Sequence, residues 1–122
     1  MRQDTVSIVT PTFNCAPLLQ RAIDSVLKQT HQDWELLVVD NHSNDDTEEL
    51  VLGYRDARIR YFKIHNSGVI AASRNLAISQ AKCEWLAFLD ADDWWTPDKL
   101  EVSIRSLRQG WDVVYHDLHA AG

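Results

Sequence analysis

The four residues Asp90-Ala91-Asp92-Asp93 stand directly after the apolar run Trp85-Leu86-Ala87-Phe88-Leu89. In extended backbone the side chains alternate, so Asp90 and Asp92 would face one way and Asp93 the other. Two carboxylates about 4 Å apart repel by roughly 4 kcal/mol at an effective dielectric near 20. Such a pair needs a raised pKa, a basic neighbour or a divalent cation. Carboxylates suit Mg2+ or Mn2+, whose shells are completed by water and substrate phosphates. The same acids could instead serve the start of a following helix, where negative charge is favourable. Thr96 and Asp98 already occupy that helix start, which leaves Asp90 and Asp92 for a cation.

Other residues offer weaker chemistry. Asp40 closes the run Leu36-Leu37-Val38-Val39, and a strand-end acid often holds the N–H groups of the next loop, here residues 41–44. Arg74 lies in the first turns of a helix, either as a solvated charge or as part of an anion site at the helix N-terminus. Trp94 and Trp95 read as a core residue and its neighbour, with one ring available to wall a pocket. His31, His42, His65, His116 and His119 lie in separate segments without metal-ligand spacing, and only His116 and His119 are close. Cys15 and Cys83 form no CxxC pair and read as free thiols.

The elements that must position these residues alternate along the chain. Val6-Ser7-Ile8-Val9 is a β-branched strand expected to stop at Thr10-Pro11, since proline cannot donate to a ladder. Apolar residues at 18, 19, 22, 23, 26 and 27 form the stripe of an amphipathic helix. A buried strand follows at residues 36–39, then a polar loop from Asn41 to Thr47 and a short helix marked by Leu50, Val51 and Tyr54. Arg58 to Ile64 alternates charged and apolar residues, as a strand near the sheet edge does. Asn66-Ser67-Gly68 turns into a helix with Val69, Ala72, Leu76 and Ala77 inward. Residues 85–89 read as another buried strand. Thr96-Pro97 should open a helix with Leu100, Ile104 and Leu107 inward, and Trp111 to Tyr115 a last strand.

This order predicts one α/β domain over residues 1–122, with a mostly parallel, twisted sheet and helices on both faces. Ligands of open α/β sheets bind outside the carboxyl ends of the strands. A parallel sheet would therefore bring Pro11-Thr12-Phe13-Asn14, Asp40-Asn41 and Asp90-Ala91-Asp92 to one edge. The length suffices for a single core. At 45% hydrophobic and 25% charged residues, the composition is that of a globular protein. A net charge of −6 argues against a nucleic-acid surface, so an anionic ligand must be met by a local cation or by N–H groups. No apolar run approaches the ~20 residues needed to span a bilayer, and no signal-peptide core opens the chain. The implied location is cytoplasmic, with association at the inner face of the cell membrane left to regions outside this chain.

Five ordered segments resemble the family 2 glycosyltransferases of the GT-A fold, a Rossmann-like architecture. They are Val6 to Asn14, Ser25 to Thr30, Val38 to Ser43, Gly68 to Leu76 with Ser73-Arg74-Asn75, and Phe88 to Asp93. The resemblance implies that Pro11, Thr12, Phe13 and Asn14 receive the nucleoside, with the Phe13 ring against the base. It implies that Asp40 and Asn41 contact base and ribose, and that Arg74 contacts base or diphosphate. Asp90-Ala91-Asp92 matches the family's DxD motif, with Asp92 binding Mg2+ or Mn2+ and Asp90 on the ribose, as a second ligand or one step removed from the ion. The implied ligand is a nucleotide-diphosphate sugar, UDP favoured and TDP or GDP open. The implied reaction is inverting transfer to a saccharide or lipid-linked acceptor in cell-envelope polysaccharide synthesis.

Two departures stand out. Asn41 replaces an aspartate usual in the family, and its amide oxygen is expected to accept a pyrimidine N3–H. The family's later half, with the acceptor site and general base, finds no match after Asp117. The chain is therefore expected to be a truncated, donor-binding half, without transfer activity of its own. Competing readings are a sugar nucleotidyltransferase, a dinucleotide-binding dehydrogenase, a receiver-like domain and a non-catalytic nucleotide-sugar-binding module. The first two want glycines after the first strand, where Thr12-Phe13-Asn14-Cys15 stands. The receiver wants an acidic pair at Thr10-Pro11.

Overall fold

The computed structural model describes residues 5–108. Its elements run β1 (Val6–Thr12), α1 (Ala16–Leu27), β2 (Trp34–Asp40), α2 (Thr47–Gly53), β3 (Ile59–Lys63), α3 (Ile70–Gln80), β4 (Trp85–Phe88) and α4 (Lys99–Arg108). The four strands lie in the order β3-β2-β1-β4, and every pairing is parallel. The α/β class, the parallel sheet and the edge position of β3 agree with the sequence reading. Among the described residues no helix is long and apolar enough to cross a membrane. The expected inward side chain of Leu107, the strand Trp111–Tyr115, His116, Asp117 and His119 lie outside the described residues.

Both faces of the sheet are apolar because β1 and β2 alternate between two cores. Val6, Ile8, Trp34, Leu36 and Val38 pack with Leu19, Ile23 and Val26 of α1, Val51 of α2 and Leu100 and Ile104 of α4. Val9, Leu37 and Val39 face the other way, onto Ala77 of α3. Helices thus cover both faces, as the pattern requires.

Four local expectations are corrected. Strand β1 does not stop at Pro11 but runs to Thr12, with Pro11 opposite Val39. The Val9 carbonyl points to the β4 side, where it accepts from Leu89 N–H. Pro11, two residues on, faces that same side, beyond the end of β4, so its missing N–H costs no ladder bond. Strand β4 is half-open rather than buried, with Leu86 44% and Phe88 50% exposed. It is the second edge strand among those described, and α3 packs over β1 and β2 instead. Helix α3 turns Ala77 and Leu76 inward as expected and adds Ser73, while Val69, before its first turn, is 55% exposed. Helix α4 starts at Lys99 rather than Pro97. The Thr96 hydroxyl turns to the Asp98 carboxylate, and the N–H of Leu100 is met by the side-chain oxygen of Gln29 instead.

At the amino edge of the sheet the buried Glu35 of β2 ties β1, β3 and the loop between α3 and β4 together. Its carboxylate accepts from the Ser7 hydroxyl at 2.6 Å, the Lys82 N–H at 2.7 Å and the Arg60 guanidinium at 3.0 Å. Burial opposes its charge, and these three donors more than offset that, holding its pKa below the usual carboxylate value. A depressed folded pKa means the stabilisation is present above the unfolded value and lost as pH falls through the folded one. Glu35→Ala should therefore cost about 3–5 kcal/mol at pH 7. The gap between wild type and variant in urea unfolding should shrink below about pH 4.

Candidate functional site

Parallel alignment brings the ends of β1, β2 and β4 to one edge, and the loops there are shaped by unusual backbone. Asn14, His42, Ser67 and Gly68 all have positive φ, between 49° and 84°. Gly68 adopts this without steric cost, and short polar side chains such as Asn14 tolerate it. Between the loops lies a cavity of about 590 Å³. Pro11, Thr12, Phe13 and Asn41 line one end of the sheet edge, Asp90, Ala91 and Asp92 come from the end of β4, and Arg74 and Gly68 come from α3 and the turn before it. Asp40 and Asn14 are absent from its wall.

The two absent residues are occupied in shaping it. Asp40 is buried, and one of its oxygens accepts from the N–H and hydroxyl of Ser43 while the other accepts from the Tyr61 hydroxyl at 2.5 Å. Burial and this carboxylate raise the Tyr61 pKa well above the ordinary phenol value. Asn14 joins the β1 loop to the β2 loop: its N–H donates to the Ser43 hydroxyl and its side-chain oxygen accepts from Asn44 N–H. Asp45 continues the link, accepting from Ala16 N–H at the start of α1 and from Thr47 at the start of α2. The chain-local reading of Asp40 as a holder of loop N–H groups describes what it does here.

Asn41 lines the cavity, and its side-chain oxygen accepts from the backbone N–H of Asn66 at 2.9 Å. That bond takes one of the oxygen's two lone pairs and leaves the amide N–H groups open. Its own backbone N–H bonds to the Thr12 carbonyl, which keeps it beside Phe13. The Phe13 ring is 53% exposed, an open apolar face at that end.

The acidic end is tighter than extended backbone would make it. The N–H of Asp93 donates to the Asp90 carbonyl at 3.0 Å, closing a turn. One carboxylate oxygen from each of Asp90, Asp92 and Asp93 can thereby lie within 4.8 Å of the others, whereas alternation would send Asp93 away. Ala91 is buried in the larger core while Asp90 and Asp92 stay exposed. Arg74 stands 3.6 Å from Asp90, with its guanidinium 5.9 Å from the centre of the Phe88 ring. Its buried Nε has no protein partner. Carboxylate oxygens are the hard donors that Mg2+ or Mn2+ prefers.

Some features were not visible in the sequence. Cys15, a free thiol, lines the cavity and lies 3.2 Å from the Thr12 hydroxyl. His42 and His65, distant in sequence, have ring centres 3.7 Å apart. Neither histidine belongs to a metal-type group among the described residues. Gln29 is buried and bonds Ser25, Thr96 and Leu100. Only its place in a matched segment could have signalled it.

A parallel sheet whose cavity sits where the strand order reverses, between β1 and β4, is an α/β domain of the doubly wound kind. The chain belongs to glycosyl transferase family 2, whose profile matches residues 7–121. An Escherichia coli relative, the UDP-Glc:alpha-D-GlcNAc-diphosphoundecaprenol beta-1,3-glucosyltransferase WfgD, is 42% identical over 99 residues, which are 81% of this chain and 39% of that protein. Among solved structures, S. aureus TarS 1-349 in complex with UDP-GlcNAc has a TM-score of 0.80 at 28% identity, over 86% of this chain and 31% of that one. The mannosyltransferase PcManGT from Pyrobaculum calidifontis, in complex with GDP-Man and Mn2+, has a TM-score of 0.67 at 26% identity, over 78% and 30%. The fold is the GT-A fold of these enzymes. The chain spans well under half the length of each.

Removing the Asp40 carboxylate should loosen this edge rather than the sheet. Asp40→Ala leaves Ser43 and Tyr61 donors unmet, at about 1–3 kcal/mol. Hydrogen exchange should speed up across residues 41–47 and remain slow in β1 and β2.

Proposed function

We propose that this chain is the donor-binding half of a metal-dependent glycosyltransferase that takes a UDP-sugar. The observation that carries it is one cavity that joins an aromatic and amide end, Phe13 and Asn41, to an acidic end, Asp90 and Asp92. The base would lie on the Phe13 ring, with the Asn41 amide donating to one of its carbonyl oxygens. The diphosphate would reach the β4 end, where Arg74 can turn from Asp90 toward it. Asp92 would hold the Mg2+ or Mn2+, with Asp90 as a second ligand or one step removed from it. A bound cation would supply positive charge against the leaving diphosphate. The UDP-GlcNAc complex of TarS supports the donor class, and the Mn2+ complex of the mannosyltransferase supports the cation.

The reaction is inverting transfer to a saccharide or lipid-linked hydroxyl in cell-envelope polysaccharide synthesis. WfgD, named for a diphosphoundecaprenol acceptor, supports this setting. The general base and acceptor pocket are assigned to the stretch by which relatives exceed this chain. The chain alone then holds donor without transferring it. The proposed setting is the cytoplasm, peripheral to the inner face of the membrane through regions outside this chain.

Titration calorimetry with UDP, with and without Mn2+, tests the reading. Binding should require Mn2+, and Asp92→Ala should weaken it at least about tenfold, the loss produced even by groups one step removed from a metal. Equal binding in chelator, or an unchanged Asp92→Ala, would overturn the metal assignment. Phe13→Ala should cost about 1–3 kcal/mol of UDP affinity with or without metal, as lost base stacking does. A Phe13→Ala chain that binds UDP normally places the base elsewhere.

A further inference from the structure

Helix α1 carries Arg21 and Ser25 one turn apart, and Gln29 stands two residues past its end; each bonds to the main chain of the segment that leaves the acidic turn. The Ser25 hydroxyl accepts from Trp95 N–H at 3.1 Å. Gln29 donates to the Thr96 carbonyl at 2.7 Å and accepts from Leu100 N–H at 3.0 Å. Arg21 donates to the Asp92 carbonyl at 3.2 Å, and its guanidinium lies 3.8 Å from the centre of the Trp94 ring. At i and i+4, Arg21 and Ser25 lie along one face of the helix, and Gln29, just after the helix, bonds the same segment further on. Together they form a rail that carries residues 92–100 along α1.

The rail's members differ in what they do. Ser25 and Gln29 are buried, and their bonds satisfy main-chain groups that would otherwise be orphaned. Arg21 is exposed, and an exposed contact of this kind adds little to stability. Its bond falls instead on the one rail residue whose carboxylate opens to the cavity. The direction of a peptide carbonyl is tied to the backbone angles that aim the adjoining side chain. Asp92 must be held near Asp90 and Asp93 against their mutual repulsion. We propose that Arg21 is a positioning residue: it clamps the Asp92 peptide so that the carboxylate is aimed into the acidic cluster before a cation arrives. Preorganisation of this kind lowers the cost of binding. The inference rests on the reading of Asp92 as a metal ligand.

The readout is the ratio of UDP affinities measured by calorimetry with Mn2+ and with chelator, alongside the melting temperature. In Arg21→Ala the ratio should fall about tenfold, while the melting temperature stays within about 2 °C. Arg21→Lys, which keeps a donor for the carbonyl, should restore most of the ratio. An unchanged ratio in Arg21→Ala overturns the proposal. So does a ratio that falls only together with a lowered melting temperature, because that is the mark of a merely structural contact. Asp92→Ala separates the two readings: if it leaves the Mn2+ dependence intact, the metal assignment fails and the role of Arg21 with it. If Asp92→Ala abolishes that dependence and Arg21→Ala does not alter it, only the positioning role is lost.

Discussion

Parallel pairing of β1 with both β2 and β4 is the constraint on which everything else in this chain depends. A parallel sheet cannot be closed by tight hairpins, so each strand must be followed by a crossover, and helices end up on both faces. The same pairing forces every strand to finish on one edge. Loops of different chemistry meet there without being near in sequence: an aromatic after β1, an amide after β2 and carboxylates after β4. The reversal of strand order beside β1 opens the crevice in which they meet.

Charge at that edge is managed by division of labour. Asp40 and Asp45 are consumed by hydroxyl and N–H donors, and they hold the β1, β2 and α2 loops against one another. Asp90 and Asp92 are left exposed, with a partial counter-charge from Arg74 and with Asp93 drawn in beside them. In a chain of net charge −6, clustered carboxylates are a local cost. On the proposed reading, a cation between them and an anionic diphosphate would offset that cost. The acids that shape the pocket are thus distinct from those that open to it, although both stand at strand ends.

Helix α1 joins the two halves of the edge. Its first turn is tied to the β2 loop through Asp45, and its Arg21 and Ser25 bond the main chain of Asp92 and Trp95. Its apolar face meanwhile lies in the larger core. A shift of α1 against the sheet would therefore move the cavity wall and the acidic turn together. The rigid core under α1 is what lets an exposed loop keep a defined geometry.

Much of this protein was legible in residue order. The β-branched run of β1, the continuous apolar run of β2, the paired apolar stripe of α1 and the family segments determined the fold class, the parallel sheet and the residues that gather at its edge. These are local periods and motifs, and they survive without knowledge of what lies opposite. Exposure of β4 was not legible, because burial depends on which strand α3 covers rather than on the strand's own composition. The tertiary structure alone decided that Asp40 points into a shell of Ser43 and Tyr61, and that the Asn41 side-chain oxygen accepts from Asn66. It also decided that Asp93 turns back toward Asp90 and that Arg21 reaches Asp92. Most of these contacts join residues far apart in sequence, and even the tight turn at Asp90 depends on how β4 ends against its neighbours. Their geometry is set by packing between elements, which no local pattern encodes.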